Sequence, residues 1–308
     1  MTRVFLFPLL IVVVGVLVYL FFIASAQDNR SVEDLISDIE SGGSHARKQD
    51  SFALSLKVRE LPVVDGKPTY FSEEATRKLL GLLERTKEED LRGSLIRAIG
   101  RGGEPRLTAP IMKEIALGEE SSEESRVHAV QSLGLSASPE ARDILLEILR
   151  RFDQPANWEL RWYALAGLTN MADPAAVTPL RGALSEPRRE IRWSAACWLA
   201  SWFKDASGVE ILRDLADWKV LDQERGDHDR PLLPEEKETY MIMAMEGLYV
   251  LDRESARPLL EEKKLDSRSP RVRNAAFEML AMLEAGTPAP APRPIQVESI
   301  GPPGVLDN

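Results

Sequence analysis

Arg126-Val-His-Ala129-Val-Gln-Ser-Leu133-Gly134, Arg161-Trp-Tyr-Ala164-Leu-Ala-Gly-Leu168 and Arg192-Trp-Ser-Ala195-Ala-Cys-Trp-Leu199-Ala200 share one frame, with arginine at position zero, alanine at plus three and leucine at plus seven. Positions three and four apart lie on one side of an α-helix, so each copy is the buried stripe of a helix. Thirteen residues after each arginine stands a helix breaker or cap, Pro139, Pro174 or Asp205, and a second apolar-periodic segment follows. One unit is therefore a helical hairpin.

The frame continues on both sides. Arg92, Leu95, Ile99 and Pro105 fit it upstream, Arg273, Ala276 and Leu280 fit it downstream, and Met241, Ala244 and Leu248 form a degenerate copy. The anchors at 92, 126, 161, 192, 241 and 273 are separated by 34, 35, 31, 49 and 32 residues. A recurring period in this range marks stacked repeats, in which no single unit can shelter its apolar side alone. The long step is explained by an insertion around Asp222-Gln-Glu-Arg-Gly-Asp-His-Asp-Arg-Pro-Leu-Leu-Pro234.

These units resemble the HEAT repeat family, in particular the short phycobilisome-lyase-like variety that reads V-R-x-x-A-x-x-A-L-G and then D-P-x-A-V-x-x-L. Leu160-Arg161-Trp-Tyr-Ala164 with Asp173-Pro174-Ala175-Ala-Val177 comes nearest, and Ile191-Arg192-Trp-Ser-Ala195 and Val272-Arg273-Asn-Ala-Ala276 follow. The resemblance covers about 200 of the 308 residues. It implies an all-α fold, a right-handed α-solenoid of about five to six hairpins, and a function that is usually binding and only occasionally catalysis. In that family the repeat arginine often bonds a turn acid of a neighbouring unit. Glu186 stands where a partner for Arg192 is expected, whereas Pro155 occupies the equivalent place before Arg161.

The rest of the chain divides by composition. Val4 to Gln27 carry no charge and Val4 to Ile23 are almost all apolar, long enough to cross a bilayer core of about 30 Å. Residues 1–26 are expected to be a transmembrane signal anchor or a signal peptide. The Ala24-Ser25-Ala26 sequence offers a cleavage site, while the length of the apolar run favours an anchor. Arg3 before the run and Asp28, Glu33 and Asp34 after it orient the remainder outside the cytoplasm, periplasmic in a bacterium. Residues 27–70, broken by Gly42-Gly43, Pro62 and Gly66, are expected to be a stalk with one or two loosely packed helices. Residues 71–284 form the repeat domain, with its insertion at 219–236. The segment 285–308, with Pro288, Pro290, Pro292, Pro294, Pro302 and Pro303, reads as a polar, disordered tail of extended polyproline character.

Composition narrows the function. The net charge of −10 removes the phosphate neutralisation on which nucleic-acid affinity depends. The single cysteine, Cys197, rules out an intrachain disulfide and reads as a small buried filler. Only three histidines are present, His45, His128 and His228, and none stands in an H-x-x-x-H pair or beside a following Glu, so no metal or other cofactor is expected. The acidic cluster Glu224, Asp227, His228 and Asp229 is interleaved by Arg225 and Arg230 and reads as a solvated loop. No nucleophile elbow or phosphate-binding glycine loop occurs. An enzyme is therefore not expected.

One uneven feature remains. All six tryptophans fall between Trp158 and Trp218. Trp198 and Trp202 lie on the alanine and leucine side of their helix and are assigned to the core. Trp162 and Trp193 share the position after the repeat arginine, with Trp158 one turn before. Together with Arg189 they form either an exposed aromatic ridge for a protein partner or the packing between successive units. The expected function is a non-enzymatic, membrane-tethered scaffold or adaptor for another protein. A lyase-like or cofactor-handling enzyme and a self-associating envelope element are the other two readings.

Overall fold

The computed structural model describes residues 30–58, 61, 63–64, 67–224, 231–266, 268–289, 291–292 and 295. The expected anchor at 1–26 lies outside the described residues, among which no helix is long and apolar enough to cross a membrane. Apart from a two-residue antiparallel ladder, Val63–Val64 with Lys67–Pro68, the described elements are helices.

The anchor positions, five arginines and Met241, lie on one layer of helices. These are α4 (Glu89–Gly102), α6 (Glu123–Ser136), α8 (Trp158–Asn170), α10 (Arg189–Phe203), α13 (Pro234–Leu251) and α15 (Pro270–Glu284). Each packs on the next in chain order. Their hairpin partners are α5 (Pro105–Leu117), α7 (Pro139–Arg151), the seven-residue α9 (Val177–Ala183), α11 (Val209–Leu215) and α14 (Arg253–Lys264). The frame does what the spacing predicts, for Ala129, Ala164, Leu168, Ala195, Leu199, Ala244 and Ala276 are all fully buried. Alanine at plus three lets neighbouring helices close up. The approach is backbone to backbone where Gly134 of α6 meets Gly167 of α8, since a Cβ on Gly167 would stand 2.6 Å from the Gly134 Cα.

Residues 32–58 differ from the expected loose stalk. Helices α1 (Val32–Ser41) and α2 (Ser44–Lys57) pack against each other, α2 against α4, and α1 against α3 (Glu73–Arg85). Leu35, Ile36, Ile39 and Leu54 are buried in the same core as the first repeats. The apolar stripe is short but complete, and the uncovered side of α4 gives it a surface to bury. Thus α1, α2 and α3 together cover the first repeat helix.

Loop punctuation acts as helix capping. The Oγ atoms of Ser72, Ser122, Ser138 and Ser269 accept from the amides of Ala75, Ser125, Ala141 and Val272, each at 3.1 Å, satisfying amides that the first turn leaves without a helical partner. The repeat arginines serve the opposite end. Arg126 donates through Nε and Nη2 to the Gly118 carbonyl at 3.0 and 2.8 Å, Arg192 through Nη1 to the Glu186 carbonyl at 2.6 Å, and Arg273 through Nη1 to the Asp266 carbonyl at 2.8 Å. Each guanidinium thus holds the chain where it leaves the preceding hairpin. This explains an arginine at position zero of a helix whose next turns are apolar.

Helix α10 divides the core. Ile191, Ala195, Trp198 and Leu199 belong to the cluster that runs back to α1, whereas Trp193, Ala196, Cys197 and Ala200 belong to the one that runs on to α15. A helix buried on both sides must be apolar nearly all round, and the Ala196-Cys197-Trp198-Leu199-Ala200 run provides this. The flanks of the insertion are tied down: in α12 (Trp218–Gln223), Asp222 pairs with Lys237 at 2.7 Å and Arg268 at 2.9 Å. Of the acidic cluster, Asp227, His228 and Asp229 lie outside the described residues.

Candidate interaction surface

Trp158, Trp162, Arg189 and Trp193 decide between an exposed ridge and packing between successive units. Trp162 and Trp193 are 3% and 4% exposed and Arg189 is 6% exposed; these three do not form an outer ridge. The position after the repeat arginine faces the next unit. Trp162 Nε1–H donates to Ser194 Oγ at 3.1 Å and its ring lies 5.5 Å from that of Trp198, both on α10. Trp193 makes an edge contact with Tyr240 of α13 at 4.8 Å. Each ring fills the seam between successive units, which buries well over 100 Å² of aromatic surface per residue. Only Trp158 of the expected ridge is partly exposed, with the Arg188 guanidinium stacked 3.5 Å over it.

Cys197 is in the core as expected; burial pushes its thiol up to about 12, so the thiolate that would react is not formed near neutral pH. His128 is held between Arg97 Nη1, 2.7 Å from Nε2, and Gln131 Oε1, 3.1 Å from Nδ1. That pattern fits a neutral ring with its proton on Nδ1, and burial first and Arg97 second push its pKa down. Neither residue has the surroundings of a catalytic group.

Two of the concave surfaces lie on the repeat helices from α7 onward. One is a groove of about 660 Å³ where the short α9 leaves α7 and α8 uncovered. Leu146, Leu149, Leu165 and Pro179 line it, with the ion pair of Arg161 and Glu186 among its walls.

The other surface carries an occupant. Counting nine residues from each anchor gives Asn170, Ser201, Val250 and Met282, equivalent positions on α8, α10, α13 and α15. Stacking sets such positions side by side, and the last three line one cleft of about 340 Å³. Ala291 and Pro292 also line that cleft. The chain reaches it by reversing after α15. Gly286 takes φ +64°, a left-handed conformation that glycine adopts without Cβ strain. The Thr287 amide then donates back to the Met282 carbonyl at 3.1 Å, and Arg253 Nη1 donates to the Thr287 carbonyl at 3.0 Å. Ala289 packs on the second core cluster and Ile295 on the first.

At Ile295 the contact becomes specific. Its amide donates to Asn170 Oδ1 at 2.7 Å, and its carbonyl accepts from Asn170 Nδ2 at 2.9 Å. A side-chain amide that pairs with both backbone groups of one residue does what a neighbouring β-strand does. The described part of the tail is therefore docked, in contrast to the expected disorder. The sequence reading missed Asn170. Its available signal was a polar residue at a position that is apolar or small in the units that follow.

Comparison with known proteins gives a consistent repeat assignment and a more distant structural likeness. Residues 151–225 match the model of a family described as HEAT repeats; the stretch includes the anchors Arg161 and Arg192. No curated protein matches the chain. Among solved structures, the complex of CpcE and CpcF of phycocyanin lyase from a Nostoc species is similar at 16% identity and a TM-score of 0.46, covering 82% of this chain and 95% of that one. Human deoxyhypusine hydroxylase in complex with glycerol is similar at 14% identity and a TM-score of 0.30, covering 82% of this chain and 96% of that one. The similarity to HEAT repeats is confined to residues 151–225, and helices carrying the same arginine-alanine-leucine frame follow one another in chain order on to α15.

Proposed function

We propose that the protein is a non-enzymatic scaffold or adaptor whose stacked hairpins wind into a right-handed superhelix and dock another polypeptide on the row of Asn170, Ser201, Val250 and Met282. The reading rests on one observation, the two-way hydrogen bonding between Asn170 and the main chain at Ile295. It supports a surface that takes up main chain through a side-chain amide, and it requires no particular side chain on the occupant. In the same proposal the apolar run within residues 1–26 tethers the array to a membrane and holds the repeats on the extracytoplasmic side.

The test is a photo-activated cross-linker placed at Ser201 of the full chain, expressed in its native envelope, with adducts identified by mass spectrometry. A recurrent adduct with one foreign protein supports the adaptor. Adducts only between copies of this chain replace it with a self-associating structural element.

A further inference from the structure

We propose, building on the docking function above, that this row reads an extended, proline-rich peptide running opposite to the order of the repeats, and that the chain's own Ala289, Ala291, Pro292 and Ile295 form a resident strap that such a peptide must displace.

The direction follows from the contacts. Ala289 lies against the core of the last units, Ala291 and Pro292 at Ser201, Val250 and Met282, and Ile295 at Asn170 on α8. The occupant thus runs from α15 back to α8, with its N-terminal end on the last repeat. The proline content follows from hydrogen bonding. Proline has no amide hydrogen, so Pro292 enters a cleft of mixed polar and apolar lining without a donor that needs a partner there, and a proline-rich segment presents few such donors. It is also extended before it binds, and little conformational entropy is lost on docking. Ile295 has both backbone groups, and Asn170 meets both.

The strap fills the row incompletely. The cleft beside Ala291 and Pro292 is about 340 Å³; Met279, Met282 and the buried Tyr249, whose hydroxyl has no hydrogen-bond partner among the described residues, bound it on one part, and Glu246, Arg271, Asn274 and Glu278 on the other. A peptide with a larger aliphatic side chain in the place of Ala291 has apolar surface of Met279, Met282 and the Tyr249 ring to bury there. The resident segment is a weak ligand made effective by being tethered, since a covalent connection gives it a local concentration in the millimolar range.

The probe is a fluorescent peptide spanning residues 286–297, titrated by anisotropy into the full-length chain. The expected result is that Ile295→Asp, which loosens the strap and leaves the array intact, tightens peptide binding by about tenfold over the unsubstituted chain. A probe with leucine in place of Ala291 should bind this variant about tenfold tighter again, from about three added methylene groups buried to a little over half. Asn170→Ala should abolish binding of both probes and expose the Ile295 amide to faster hydrogen exchange. Circular dichroism confirms that each variant keeps its helices. Equal peptide affinity for the Ile295→Asp and unsubstituted chains, or an Ile295 amide that exchanges at the same rate with and without Asn170, overturns the strap. If the strap fails while Ser201 still cross-links a foreign protein, the docking function stands without it. If the strap holds while Ser201 cross-links only this chain, the adaptor reading fails alone.

Discussion

Arg161 and Glu186 form an ion pair between adjacent repeats, with both side chains almost withdrawn from water at 13% and 12% exposure. The same Glu186 gives its backbone carbonyl to Arg192, so one residue ties two repeat arginines to a single connection. Arg161 departs from Arg126, Arg192 and Arg273, which bond the backbone that leads into their own helices. The segment before Arg161 is a 3₁₀ turn starting at Pro155, and the guanidinium reaches forward to the next unit instead.

Removing one member of a pair this enclosed leaves the other charge poorly solvated. Glu186→Ala is expected to destabilise the fold by about 2–4 kcal/mol, read as a lower urea midpoint with an unchanged slope. Replacing both partners by Met and Leu should recover most of the loss, because the lining of the neighbouring groove is already apolar. A double-mutant cycle with a coupling below about 0.5 kcal/mol would refute this, assigning the pair to the ordinary surface class.

Trp162→Ala and Trp193→Ala should each cost about 3–5 kcal/mol, as for other buried aromatic truncations. Trp158→Ala should cost far less, since its ring is partly exposed. Because Trp162 and Trp193 fill different seams, on either side of α10, the double variant is expected to lose roughly the sum. Thermal melts that hardly move for Trp162→Ala and Trp193→Ala would return these residues to the surface.

What could be read from the sequence follows the range of the interactions. Alanine at plus three and leucine at plus seven are buried because of spacing within one helix, and spacing is visible in the chain. The tryptophans at plus one are different. Their recurrence shows that equivalent positions lie together, but whether that row faces solvent or the next unit depends on how far each hairpin rotates, which no local pattern contains. Leu35, Ile36, Ile39 and Leu54 were too few, and too interrupted by Gly42 and Gly43, to announce a packed cap. Asn170 was illegible for a simpler reason: its partner at Ile295 is 125 residues away, and the proline pattern that delivers it reads by itself as disorder.

Tyr240 supplies a prediction of the opposite sign. It is fully buried, its edge contact with Trp193 is apolar, and its hydroxyl bonds to no protein group. Burial raises its pKa well above the ordinary value, with Glu190 adding to the shift. Tyr240→Phe keeps the ring packing and removes an unpaired polar group, so stability should be unchanged or rise by about 1–3 kcal/mol. A loss of more than about 1 kcal/mol in chemical denaturation would mean that the hydroxyl does find a bond.

His128 makes stability depend on pH near neutrality. Burial, and next the Arg97 charge, hold its folded-state pKa below the ordinary value of 6.5, opposed by Gln131 and by Glu124, 3.5 Å away. The unfolded chain therefore takes up a proton near pH 6.5 while the folded chain remains neutral at this site. The stabilisation is fully present above that pH and is lost as pH falls toward the folded pKa, with a limiting slope of about 1.4 kcal/mol per pH unit. Below the folded pKa both states are protonated and the slope ends. His128→Gln, which cannot titrate, should flatten the unfolding free energy between pH 7 and the onset of carboxylate protonation. The comparison of the two chains isolates this residue, because the acids shared by both titrate lower. Parallel pH profiles for His128→Gln and the unsubstituted chain would show that the ring is solvated enough to protonate in place.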